Sequence, residues 1–206
     1  MHAPLRYQHR WIPGPAGANE TILALHGTGG NEDDLVPLVR DLAPQANILS
    51  PRGNVLENGM PRFFARHGEG RLDIDDLRKR AVDLVAFVDE AAREYGFDRA
   101  RVTALGYSNG ANVALGMLFE RPGSLARAAL LRAVFAYEPD PLPDLSSKRI
   151  LLLAGERDPY SRAPVTDRLA VALTSAGAMV DRHYARAGHE LAQEDLEAAR
   201  RWLNKE

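Results

Sequence analysis

The stretch Arg101-Val102-Thr103-Ala104-Leu105-Gly106-Tyr107-Ser108-Asn109-Gly110-Ala111 decides how the rest of the chain reads. A short apolar run, predicted to be a buried strand, breaks at a Gly-x-Ser-x-Gly pentapeptide, and a helix-forming segment from Ala111 to Glu120 follows, closed by Arg121-Pro122-Gly123. A turn this tight between strand and helix strains its central residue, and glycine on both sides lets the neighbouring backbones approach. Ser108 is then pushed into the open at a helix N-terminus, where the dipole favours negative charge developing nearby. A serine that merely caps a helix is the plainer reading. The preceding strand and the paired glycines favour an exposed nucleophile.

Working outward, short apolar runs alternate with longer amphipathic segments from Thr21 to the C-terminus, the pattern of a parallel sheet with crossover helices. Thr21 to Leu25 reads as a strand that ends at His26-Gly27-Thr28-Gly29-Gly30, with Asn31 as the expected N-cap of a helix whose first turn holds Glu32, Asp33 and Asp34. Asn47 to Ser50 is the next strand. The 22 residues from Pro51 to Leu72, rich in Gly, Arg and Pro, form a long connection of the kind that serves a site. Asp73 to Tyr95 carries apolar residues at near-helical spacing and stops at Gly96. Strands are expected at Ala128 to Phe135, Arg149 to Leu153 and Val180 to Ala185, and helices at Pro164 to Ala176 and Gln193 to Leu203. Leu5 to Trp11 alternates polar and apolar residues, as an antiparallel edge strand would.

Composition removes several classes of function. With 45% hydrophobic residues and 26 basic against 28 acidic side chains, the 206-residue chain is neither disordered nor a polycationic nucleic-acid binder. It has no cysteine, which excludes disulfides, thiolate nucleophiles, iron–sulfur clusters and Cys-based zinc sites. No apolar run approaches a bilayer span, and MHAPLRYQHRW lacks the apolar core of a secretory signal, so a cytoplasmic protein without membrane insertion is expected.

A serine hydroxyl needs an adjacent base, normally histidine, oriented by a carboxylate. Of the six histidines, His2 and His9 lie in the N-terminal segment, His67 in the long connection and His183 within a strand. His26 reads as a structural residue of the glycine loop. His189 alone follows a strand on a short turn and precedes a helix at the C-terminal edge of the sheet, where open α/β sheets place ligands. Asp158, after the strand ending at Leu153, is the expected acid, although Asp158-Pro159 could also initiate an Asx turn. Glu156 is its rival, and Asp140, Asp144 and Asp167 are placed less well. The backbone N–H groups of Asn109 and Thr28 are the expected donors to a tetrahedral oxyanion. The loop around Thr28 matches neither nucleotide-binding glycine pattern.

Leu25-His26-Gly27-Thr28-Gly29-Gly30, Gly106-Tyr107-Ser108-Asn109-Gly110, Gly155-Glu156-Arg157-Asp158 and Gly188-His189-Glu190 together resemble the phospholipase/carboxylesterase family of α/β-hydrolases, from about Thr21 to Leu203. The likeness is greatest to small bacterial carboxylesterases related to acyl-protein thioesterases. It implies an α/β-hydrolase fold, with a mostly parallel central sheet, helices on both faces and no cap domain, as a single domain over residues 1–206. It implies a serine carboxylesterase with Ser108 as nucleophile, Asp158 and His189 as its partners, Thr28 and Asn109 as oxyanion donors, and no metal or cofactor. Asn109, where acyl-protein thioesterases typically carry Gln, and Gly29-Gly30, where they carry Gly-Asp, argue against protein depalmitoylation. Other outcomes for the fold are a slow-turnover ligand receptor, a lysophospholipase or thioesterase, and a perhydrolase.

The connector Ala136 to Lys148 has 13 residues and is too short for a helical lid, so the site is expected to be open and to take short soluble esters. Phe63 and Phe64 read either as an apolar wall of that site or as loop anchors on the core, while Arg52, Arg62 and Arg66 face water or a polar substrate end. The expected partner is a small-molecule ester, with a homodimer as the one macromolecular assembly considered.

Overall fold

The computed structural model describes residues 5–68 and 70–205, so His2 lies outside the described residues. In chain order the elements are β1 (His9–Ile12), β2 (Thr21–Leu25), α1 (Val36–Leu42), β3 (Asn47–Pro51), β4 (Val55–Glu57), β5 (Met60–Arg62), β6 (Arg66–Gly68), β7 (Arg71–Leu72) and α2 (Ile74–Tyr95). There follow β8 (Val102–Tyr107), α3 (Asn109–Glu120), β9 (Arg127–Leu131), β10 (Arg149–Gly155), α4 (Ala163–Ser175), β11 (Met179–Ala185) and α5 (Gln193–Leu203).

Seven strands form one sheet in the order β1-β3-β2-β8-β9-β10-β11. Only β1 runs antiparallel, pairing Trp11 with Leu49, so the N-terminal alternation does mark an edge strand, though a shorter one than Leu5 to Trp11. The remaining pairs are parallel. Strands covered on both faces are apolar along their whole length, and β2 is buried at all five positions. One core packs α2, α3 and α4 on one face through residues such as Phe87, Leu118 and Leu173, and the other packs α1 and α5 through Val39, Leu42 and Trp202.

Two expected boundaries move, each for a local reason. The helix expected to open at Asn31 begins at Val36, because Pro37 lacks an N–H and its ring is tolerated only in the first turn. Asn31 instead accepts from the Asp33 N–H at 2.8 Å in an Asx turn, and Glu32 is drawn inward to Arg52. The strand expected to reach Phe135 ends at Leu131, since Arg132 turns out of it with φ of 58°. The long connection is not structureless: it folds into two small hairpins, β4–β5 and β6–β7. By contrast α2 opens and closes as its ends dictate, with the Asp73 carboxylate accepting from the Asp76 N–H and Gly96 left-handed at the C-cap. No helix or strand occurs between β9 and β10 among the described residues, so no cap domain interrupts the sheet.

Candidate active site

β8 lies at the middle of the seven-stranded sheet and ends at Tyr107, one residue before Ser108. Ser108 has φ of 52° and ψ of −112°, a strained geometry for any L-residue. The flanking glycines are required by contact as well as by the turn. A Cβ on Gly106 would stand 2.6 Å from the Gly110 carbonyl oxygen, and one on Gly110 would stand 2.0 Å from the Leu25 carbonyl oxygen. Ser108 occupies the N-cap position of α3, but its hydroxyl makes no capping hydrogen bond. It stands 2.9 Å from His189 Nε2.

The other nitrogen of that ring, Nδ1, is 2.9 Å from Asp158 Oδ2. Asp158 lies three residues beyond β10, is 2% exposed, and divides its two oxygens between two tasks. Oδ1 accepts the Tyr160 N–H at 2.8 Å, closing the Asx turn, while Oδ2 meets the imidazole. The carboxylate can only accept, so Nδ1 carries the hydrogen in the neutral ring and Nε2 is free to accept from the serine hydroxyl. Glu156 is exposed and lies away from this chain of bonds, and Asp167 is held at the surface by Arg182 and Tyr184.

His189 sits four residues past β11 on a turn that is tied at several points. The Tyr107 hydroxyl donates to the His189 carbonyl at 2.9 Å. Arg132 donates through Nε to the Gly188 carbonyl at 3.1 Å and through Nη2 to the Glu190 carbonyl at 2.8 Å. That guanidinium is fully buried and is paired with the equally buried Asp195 at 3.0 and 2.5 Å. The pairing joins the end of β9 to the first turn of α5 and holds the histidine turn between them. Sequence reading missed both residues, and the one available signal was a charge at the end of an apolar strand.

The remaining histidines serve elsewhere. His26 is buried and receives the Gly53 N–H at Nε2 (2.9 Å), so its hydrogen is on Nδ1, donated to the Gly27 carbonyl at 2.6 Å. Burial pushes its pKa down, in keeping with a neutral structural ring at the glycine loop. His9 bonds Tyr95, His67 lies near Asp73 at the surface, and His183 sits within β11.

Ser108 and His189 open into a cavity of about 370 Å³, whose wall also includes Thr28, Asn109, Asn112 and Tyr160. Thr28 is fixed by the Arg62 Nη1 donation to its hydroxyl at 2.7 Å, and the Gly29 N–H next to it donates to the Pro61 carbonyl at 2.9 Å. Phe63 and Phe64 do not form the expected wall. They are 1% and 0% exposed in the core, because two rings gain more by leaving water than by lining an open mouth. The Phe63 N–H donates to Asn109 Oδ1 at 2.7 Å, and Arg62, Arg66 and Leu72 face the cavity instead. Arg52 is not part of that wall and pairs with Glu32 at 2.5 Å. Among the described residues, no group of three or more His, Asp or Glu is placed to hold a metal ion, and no helix is long and apolar enough to cross a membrane.

A parallel sheet with a strained serine at its centre, and an Asp and a His after the second and third strands that follow it, defines an α/β-hydrolase. No family model matches the chain. It is 42% identical over 188 residues to the putative hydrolase MhqD of Bacillus subtilis, covering 91% of this chain and 94% of that protein. A carboxylesterase from Bacillus cereus superposes with a TM-score of 0.93 at 42% identity, covering 96% of this chain and 93% of that one. A carboxylesterase from Mesorhizobium loti gives a TM-score of 0.84 at 34% identity, covering 90% and 88%. The chain belongs to the phospholipase/carboxylesterase family of α/β-hydrolases.

Proposed function

We propose that the protein is a serine carboxylesterase that hydrolyses short soluble esters through a covalent acyl-enzyme. The observation that carries this reading is the unbroken chain from Ser108 Oγ to His189 to Asp158, two contacts of 2.9 Å each, at a serine that faces a cavity. His189 Nε2 takes the hydroxyl proton as Ser108 Oγ attacks the ester carbonyl carbon. The oxyanion so formed accepts from the backbone N–H groups of Thr28 and Asn109. Collapse breaks the bond to the alcohol oxygen, which leaves with the proton from His189. Water, deprotonated by the same ring, then attacks the acyl carbon, and Ser108 departs with the proton as the acid is released.

The cavity of about 370 Å³ and the absence of a helix between β9 and β10 among the described residues support small substrates. A kinetic series on 4-nitrophenyl esters of increasing acyl length tests the reading. The expected result is an optimum among short chains and no change of behaviour at the solubility limit. An optimum at long chains, with a jump in rate above that limit, overturns it.

A further inference from the structure

The charge on the cavity wall is left unused by the hydrolytic steps. Arg62 and Arg66 both line the space that holds Ser108 and His189, and among the described residues that lining includes no carboxylate. Among the described residues, Glu57 is the acid that pairs with both. Arg66 Nε meets its two oxygens at 2.8 and 3.0 Å, and Arg62 Nη1 lies 3.3 Å from Oε2. Among the described residues, one carboxylate therefore serves two guanidiniums, which leaves one positive charge over.

That surplus is poorly hydrated. The Arg62 side chain is 4% exposed, with Nε committed to the Phe64 carbonyl at 3.1 Å and Nη1 to Thr28 Oγ1. Burial pushes its pKa below the ordinary guanidinium value, against the pull of Glu57. A buried charge is costly until an opposite charge reaches it. The planar fork of arginine matches a carboxylate, whose two oxygens can accept in parallel.

Asn109 and Asn112 lie on the same wall, each with its amide oxygen already bonded. Asn109 Oδ1 is spent on the Phe63 N–H, which fixes the orientation of the amide, and its Nδ2 is buried without a partner among the described residues. Asn112 Oδ1 is spent in the same way on the Val134 N–H at 2.8 Å. The Asn109 NH₂ is closed off from solvent and offers nothing to a ligand in the cavity, so the guanidiniums are the charged donors of that wall.

We propose that the cavity is built for esters that carry a free carboxylate, seated against Arg62 and Arg66 while the ester carbonyl lies over Ser108. This rests on Ser108 being the nucleophile. Substrates of this class are half-esters of small dicarboxylic acids and small hydroxy acids acylated on the hydroxyl.

The test compares 4-nitrophenyl hemiglutarate with 4-nitrophenyl valerate, acyl groups of equal length that end in a carboxylate or a methyl group. The hemiglutarate is expected to have a kcat/KM higher by about tenfold or more, mainly through KM, as a charge-assisted contact allows. Added salt should shrink that advantage. The ratio should collapse toward unity in Arg66→Gln, and free glutarate should inhibit the unaltered enzyme competitively, a readout that needs no variant. A neutral fluorophosphonate reports the nucleophile separately. Stoichiometric labelling of Ser108, together with equal use of both esters and no inhibition by glutarate, overturns the carboxylate site alone. Failure to label Ser108, with neither ester hydrolysed, overturns the esterase reading and this proposal with it.

Discussion

Ser108, Asp158 and His189 each stand within four residues of the end of a parallel strand, whereas Arg62 and Arg66 belong to small hairpins between β3 and α2. The strand ends are anchored by the sheet itself, by close backbone contact at Gly106 and Gly110, and by the buried Arg132–Asp195 pair. The hairpins are anchored by a few polar bonds and by Phe63 and Phe64 sunk in the core. Proton transfer needs fixed atoms, and the sheet supplies them. The proposed recognition lies on connections that can change without disturbing the sheet.

The strongest way to break this comparison is at the strand ends. Ser108→Ala should lower ester turnover by on the order of 10⁴-fold or more with the fold intact, and His189→Ala should be as severe. Circular dichroism and steady-state kinetics on the same preparations check both. Asp158→Asn should cost somewhat less, since the acid orients the ring without touching substrate. Glu156→Gln, at an exposed position, should stay within about twofold of the parent.

Removing what holds the site separates the two regions differently. Arg132→Met leaves Asp195 buried without its partner and should cost about 3–5 kcal/mol of stability in denaturant titrations. It also frees the turn that carries His189, so kcat should fall in the protein that remains folded. Phe63→Ala should cost about 3–5 kcal/mol as a cavity-forming core change, where a residue of the cavity wall would have changed KM alone.

The smallest effect concerns acid stability. The pKa of His26 is lowered in the folded chain by burial, so below its ordinary value of 6.5 the unfolded chain takes up a proton that the fold refuses. Stability is therefore lost as pH falls through that value, by at most about 1.4 kcal/mol per pH unit. Thermal melts between neutral and mildly acidic pH should show a shallower slope in His26→Gln than in the parent.

The strand-end half of this arrangement was legible in the sequence because sterics constrain it: only glycine fits two positions to either side of Ser108, and chain order places an acid and a histidine after later strands. Asp158 could be read in two ways, and its two oxygens make the contacts of both, one with the Tyr160 N–H and one with the His189 ring. What stayed hidden depends on contacts between distant segments. Arg132 and Asp195 are 63 positions apart and carry no pattern that pairs them. Phe63 and Phe64 read equally well as a pocket wall or as anchors, since a flexible connection has no periodicity to say which way a ring turns. The start of α1 was misplaced because Asn31 and three acids looked like a helix opening while Pro37 set the first turn farther on.

The proposed mechanism depends most on an acyl group residing on Ser108. Rapid mixing with a 4-nitrophenyl ester, followed by acid quench and intact-mass analysis, should show a burst of nitrophenol matched by a transient mass gain of one acyl group, mapped by peptide digestion to Ser108. Full-rate hydrolysis with no mass gain and no burst, or an acyl group found on another residue, would contradict it.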